Sequence, residues 1–319
     1  MPYLAFAPSR PVTLLINGRS RRGRAAFPAA VKACQDAGIS LAESVMVDSL
    51  EETARLLQRE IEAQAPLVIV GGGDGTLSFC AGQLAGTPVA MGVLPLGTGN
   101  TFARTLGLPF DLNQAAQVMA EGHVSDIDVG VVNGRVFLNS VAIGLSAEIA
   151  RALDAGTKGK LGLLAYPAIG WRVLLKHRPL CLWIDLDGRR FPLRTHQLVI
   201  ANGRCLAGFI SAAPDASIDD KRLVVFALGG ARRDHLLMAG WRWLRGQHLY
   251  FGAQNLSVEI PRSATASVDG ELVPHTRLDL KIWPDALRVV VPHDFDSHVA
   301  PPDAPVKNAS ADEFFDRLR

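Results

Sequence analysis

The sequence predicts an α/β domain built on a parallel sheet, followed by a second domain that is an antiparallel β-sandwich, and three observations carry that prediction. Short apolar strands alternate with helix-spaced stretches up to Asp126. Beyond Asp126 helices become scarce, and short strands separated by turn residues take over. Two glycine loops lie in the first part, each between an apolar strand and a helical stretch.

Val12 to Ile16 is a continuous apolar run ending at Asn17-Gly18, as a buried parallel strand ends. Helical spacing follows over 25–37 and 51–63, with short strands at Ser44–Val47 and Leu67–Val70. Val89–Leu94 reads as a strand and Asp111–Ala120 as a helix. In the second part the predicted strands are Arg135–Ala142, Leu180–Leu186, Gln197–Ala201, Leu223–Leu228, Leu256–Ile260, Ala266–Val268, Leu278–Ile282 and Leu287–Val291. Helical spacing returns near 159–177 and 232–246. In the second of these, Leu236, Leu237, Trp241 and Leu244 form one side with Trp243 and Arg245 at its rim, a pattern that serves a domain core or a bilayer interface. The stretch from Pro301 to Ser310 reads as a connector, and DEFFDRLR as a short closing helix. The expected division is residues 1–128 with 292–319 for the first domain and 129–291 for the second.

A length of 319 residues suits two domains, and 48% hydrophobic with 20% charged residues is an ordinary globular balance. Thirty-three Lys and Arg against 31 Asp and Glu give a net charge of +2, which argues against a dedicated nucleic-acid binder. Cys34, Cys80, Cys181 and Cys205 are widely spaced, so buried reduced thiols are expected rather than a disulfide framework or zinc site. The N-terminal residues lack the pattern of a secretory signal, and Leu161–Leu175 is too short to span a bilayer and carries Pro167 and Arg172. A cytoplasmic chain with transient, peripheral membrane contact is the resulting expectation; self-association as a homodimer stays open.

The strand LVIV runs into Gly71-Gly72-Gly73-Asp74-Gly75-Thr76, after which Leu77, Cys80, Ala81 and Leu84 have helical spacing. Glycines let the backbone approach a ligand, and the free N–H groups and positive dipole end of the following helix attract phosphate. The loop lacks the Gly-Lys-Ser/Thr of a Walker A motif and is not a G-x-G-x-x-G fingerprint. A second loop, Leu94-Pro95-Leu96-Gly97-Thr98-Gly99-Asn100-Thr101-Phe102-Ala103-Arg104, has the same setting. Two such loops in one open α/β sheet face the same end, where ligands bind.

GGGDGT followed by PLGTGN-x-FAR resembles the bacterial diacylglycerol kinase catalytic-domain family, which is related to sphingosine and ceramide kinases. The resemblance extends to Asp128-Val129-Gly130 with VFLNSVAIGLSAEI, to Pro214-Asp215-Ala216-Ser217-Ile218-Asp219-Asp220 and to Asp269-Gly270-Glu271, and so covers Val12 to about Pro292. It implies a first domain like the NAD kinase and phosphofructokinase core, a β-sandwich on the lipid side, and an ATP- and Mg²⁺-dependent kinase acting on a lipid alcohol. Gly72, Gly73, Asp74, Gly75 and Thr76 then bind the triphosphate, with Gly97, Thr98, Asn100 and Asn17 beside them. Glu271 is the implied proton acceptor, and Asp74, Asp128 and Asp269 the implied Mg²⁺ carboxylates. Asp220, with the carbonyls of Ser217 and Arg222, is the implied site of a second, structural metal.

Three departures from the family pattern stand out. Lys221 replaces the usual Gly beside Asp220, Thr101 replaces a common Asp, and Asn17 is followed by Gly18 and three arginines, Arg19, Arg21 and Arg22, in place of a Pro-containing loop. Alone, Val-Asp-Gly-Glu-Leu also reads as a plain hairpin turn. A kinase of a soluble acceptor and a non-catalytic nucleotide- or lipid-sensing regulator are the rival functions.

Overall fold

The computed structural model describes residues 10–20, 22–156, 173, 177–207, 210–211, 213, 216–229, 249–262, 264–295 and 307–318. The helices expected near 159–177 and 232–246 lie outside the described residues, apart from Val173 and His177.

The first half alternates as expected: β1 (Val12–Asn17), α1 (Gly23–Asp36), β2 (Leu41–Val47), α2 (Leu50–Glu62), β3 (Leu67–Gly72), α3 (Asp74–Leu84), β4 (Ala90–Pro95), α4 (Thr101–Thr105) and α5 (Leu112–Glu121). Its four strands pair in parallel in the order β4-β3-β1-β2. The inner strands β3 and β4 are buried at every residue, which explains their unbroken apolar runs, whereas β2 at the edge is half exposed. The four strands being parallel, the residues that follow each of them emerge at one end of the sheet.

The chain then continues through β5 (His123–Val132), β6 (Arg135–Phe137), β7 (Ser140–Gly144) and α6 (Leu145–Gly156). After these come β8 (Leu180–Leu186), β9 (Arg189–Asn202), β10 (Cys205–Ala207), β11 (Ile210–Ser211), β12 (Leu223–Gly229), β13 (Leu249–Ala253), β14 (Asn255–Glu259), β15 (Ala266–Val268), β16 (Glu271–Val273), β17 (Arg277–Val291), β18 (Lys307–Asn308) and α7 (Ala311–Leu318). Antiparallel pairing dominates here, from β16-β15-β7-β9-β8-β14 to β17. A second core of Phe137, Ile143, Leu182, Ile184, Leu198, Phe251 and Leu280, among others, fills this half.

The two predicted strands at Leu278–Ile282 and Leu287–Val291 are one strand, β17, whose pairing with β5 shifts register between Trp283 and Leu287. Pro284-Asp285-Ala286 reads as a turn in sequence but is a bulge, with Asp285 at φ 51°. β17 joins the two halves, pairing in parallel with β4 through Val289 and Met91 and antiparallel with β14 and β5. The expected boundary at 128/129 therefore falls inside β5, which pairs with β17 on both sides of the bulge.

Of the C-terminal residues expected in the first domain, Phe295 packs against the first core, but those from Lys307 onward pack with the second half. β18 pairs with β13, and Phe314 and Phe315 of α7 are fully buried against Phe251 and Phe191 in the second core, in stacked and edge-on ring contacts. Cys34 and Cys80 are buried, and burial pushes their thiols up to about 11 and about 12, but Cys181 is exposed, contrary to expectation.

Candidate active site

The residues that end β1, β3 and β4 meet at one cavity of about 440 Å³. Its wall contains Asn17, Gly73, Asp74, Gly75, Thr76, Gly97, Thr98 and, from the second half of the chain, Glu271. Gly73 is the N-cap of the 11-residue α3 and no side chain caps it, so the first N–H groups of that helix are left for a ligand.

The two glycine loops touch. A Cβ built on Gly97 would stand 2.6 Å from the Gly73 Cα, so neither a larger residue nor a different spacing fits. Asp74 ties them: its Oδ1 accepts the Phe102 N–H of α4 at 3.0 Å. Asn100, left-handed at φ 47°, turns its Oδ1 back to accept the Gly97 N–H at 2.8 Å. Asn17 Nδ2 donates to Thr76 Oγ1 at 2.7 Å, fastening the end of β1 to the first turn of α3.

Glu271 arrives on the β15–β16 hairpin, whose two-residue turn is Asp269-Gly270 at φ 47° and 88°. The motif is thus a hairpin turn, and that hairpin brings Glu271 to the cavity. Asp269 anchors the turn. Its carboxylate accepts Ser78 Oγ of α3 at 2.6 Å and the backbone N–H groups of Leu138, Asn139 and Ser140 at 2.8 to 2.9 Å. Burial pushes this carboxyl above its ordinary range while those four donors pull it down. Glu271 itself is exposed and pairs with Arg135 Nη2 at 2.5 Å.

Not every predicted site residue reaches the cavity. Gly72 and Asn100 support the loops from behind: a Cβ on Gly72 would meet the Thr76 side chain at 2.6 Å, and Asn100 is buried. Asp269 lies beneath the hairpin, with both oxygens taken by donors. Asp128 belongs to another cluster altogether. Buried on β5, it accepts the N–H groups of Lys221 at 2.6 Å and Asp285 at 2.8 Å, and burial raises its carboxyl. Backbone donors from distant segments thus occupy the carboxylates of both Asp128 and Asp269, and neither residue lines the cavity.

At the expected structural-metal set of Ser217, Asp220 and Arg222 the Asp220 carboxylate is engaged by backbone donors. Asp220 accepts the N–H groups of Ser217 at 3.1 Å and Arg222 at 3.0 Å, so donors face the carboxylate from the residues expected to offer carbonyl oxygens. Lys221 takes the left-handed conformation, φ 59°, where the family's glycine is at ease, and its Nζ pairs with Asp285 at 2.9 Å. Among the described residues no three His, Cys, Asp or Glu side chains are grouped to hold a metal.

The sequence reading missed Arg135, Ser78, and the Asp48, Ser49 and Leu50 side of the cavity. Only the last carries a local signal: Ser49-x-x-Glu52 is a capping box, and Ser49 Oγ accepts the Glu52 N–H at 3.1 Å while Glu52 Oε2 accepts the Asp48 N–H.

Comparison with known proteins agrees with this arrangement. The family described as Diacylglycerol kinase catalytic domain matches residues 11–132, and that described as YegS C-terminal NAD kinase beta sandwich-like domain matches residues 139–291. The chain is 32% identical to a protein named diacylglycerol kinase from Bacillus subtilis, over 64% of this chain and 71% of that one. It is 30% identical to one of the same name from Staphylococcus carnosus, over 81% and 84%. A crystal structure of a diacylglycerol kinase from Bacillus anthracis superposes with a TM-score of 0.71 at 23% identity, covering 88% of this chain and 96% of that one, a likeness of fold. On these matches, and with both glycine loops and the Asp-Gly-Glu hairpin meeting at one cavity, the chain belongs to the diacylglycerol kinase catalytic-domain family.

Proposed function

We propose that this kinase-family chain transfers the γ-phosphate of ATP to the hydroxyl of a lipid alcohol of the diacylglycerol kind. The observation that carries the reading is that Glu271, from the second half, lines the same cavity as the two glycine loops of the first. The uncapped start of α3 and the paired loops suit a polyphosphate: N–H groups of Asp74, Gly75 and Thr76 cradle it, and Gly73 with Gly97 leaves room for close approach.

Glu271 takes the proton of the acceptor hydroxyl as its oxygen bonds to the γ-phosphorus, the bond from that phosphorus to the bridging oxygen breaks, and ADP departs. A positioned carboxylate base contributes about 10²–10⁴-fold to such a step. Asp74 and Glu271, the carboxylates of this cavity next to the glycine loops, are the residues that would meet Mg²⁺ carried on the phosphates, where it neutralises charge developing in the transfer. The encounter with the lipid is proposed at a bilayer surface that the protein visits from the cytoplasm.

The test is transfer of labelled γ-phosphate from ATP, with and without Mg²⁺, to diacylglycerol, phosphatidylglycerol, sphingosine and ceramide in mixed micelles. Mg²⁺-dependent labelling of at least one lipid is expected. Labelling of a water-soluble acceptor such as NAD instead, with every lipid inert, would overturn the reading in favour of a soluble-acceptor kinase.

A further inference from the structure

Glu271 stands on a three-residue edge strand, and its side chain is 60% exposed. An exposed glutamate on an edge strand samples several rotamers, yet a general base must meet its proton within about 3 Å. The contact that fixes it is the Arg135 guanidinium, whose Nη2 lies 2.5 Å from Glu271 Oε2.

The origin of that arginine is well defined. Arg135 begins β6, directly after the Asn133-Gly134 turn at φ 48° and 82°. Asn133 is clamped to β17 three times: its N–H donates to Asp279 O, its Nδ2 donates to Arg277 O, and its Oδ1 accepts the Asp279 N–H. The next residue, Val136, is buried in the first core against α3, close to Gly82. The base of the Arg135 side chain is therefore held between α3, which carries the first glycine loop, and the shared strand β17.

An exposed ion pair such as this, with side chains 46% and 60% accessible, is screened by water and adds too little to stability for that to be its main use. We infer that Arg135 is a positioning residue for phosphoryl transfer: it holds the Glu271 carboxylate toward the glycine loops and acts on the reaction through Glu271. This rests on the kinase reading above.

The experiment is a double-mutant cycle in the lipid-kinase assay, with Arg135→Ala, Arg135→Lys, Glu271→Gln and the Arg135→Ala/Glu271→Gln pair. Nucleotide affinity is followed by titration and folding by thermal melt. Arg135→Ala is expected to lower kcat on the order of tenfold or more with KM for ATP changed less than about twofold, as for a base that has lost its orientation. Arg135→Lys, which keeps a charge without the planar fork, recovers part of the loss. In the Glu271→Gln background the alanine change has no further effect, since there is no base left to orient. An active wild type with unaltered kcat in Arg135→Ala overturns the inference alone, as does an equal loss in both backgrounds. An inactive wild type overturns the kinase reading and this inference with it.

Discussion

Two buried aspartates, Asp269 and Asp128, are built alike and placed differently. Each has its carboxylate occupied by backbone N–H groups from distant segments, Leu138, Asn139 and Ser140 for one, Lys221 and Asp285 for the other. Burial raises both carboxyls. Asp269, however, lies two residues from a glutamate that lines the cavity, whereas Asp128 binds together β5, the 217–222 loop and the bulge of β17. In this molecule both buried carboxylates hold segments in place, whereas the exposed Glu271 lines the cavity.

Replacement of Asp269 by Ala should show the largest effect. It orphans four donors and frees the hairpin, which we expect to cost about 3–4 kcal/mol of stability in urea unfolding and to depress kcat in the fraction that folds. Asp128→Ala should cost stability as well, about 2 kcal/mol for its two stranded donors, but leave kcat of folded protein within about twofold. Equal kcat losses in the two would erase the distinction between the sites.

Glu271→Gln comes next. It should lower kcat by about 10²-fold, equivalent to about 2.7 kcal/mol in the barrier, with an unchanged melt and little change in ATP affinity. Wild-type kcat in that variant would leave the hairpin without a chemical role.

The smallest effect is expected at Lys221. Lys221→Gly relieves a left-handed residue and loses an exposed ion pair, two small effects of opposite sign, so the melt should move little. Wild-type melting should be the same with Mg²⁺ as with a chelator, because N–H donors rather than carbonyls face Asp220. A Mg²⁺-dependent rise of several degrees would restore the loop as a metal site.

What the sequence disclosed and what it hid follow one physical division. The glycine loops and the parallel strands were legible because their signals are local: apolar runs as long as a buried strand, then glycines at a helix start. Asp-Gly-Glu was legible as a hairpin for the same reason. Arg135 was not, since its partner lies 136 residues away and only pairing of β5 with β17 and of β15 with β7 brings them together. The backbone donors on Asp128 and Asp220 were not legible either, because a carboxylate in sequence does not disclose which groups will face it. The C-terminal helix was assigned to the wrong half because Phe314 and Phe315 announce burial without saying against what.

The strand β17 has a consequence for how the chain is made. A ribosome releases the first half well before residues 277–291, yet Met91 of β4 pairs with Val289, and β5 finds its antiparallel partner in the same late segment. Until that segment emerges, the nascent α/β unit carries an open edge at β4, the kind of edge that recruits strands from other chains. A fragment ending at Val132 would keep that edge open permanently. The two halves thus share one late strand, and the edge of β4 is covered only when β17 is in place between them.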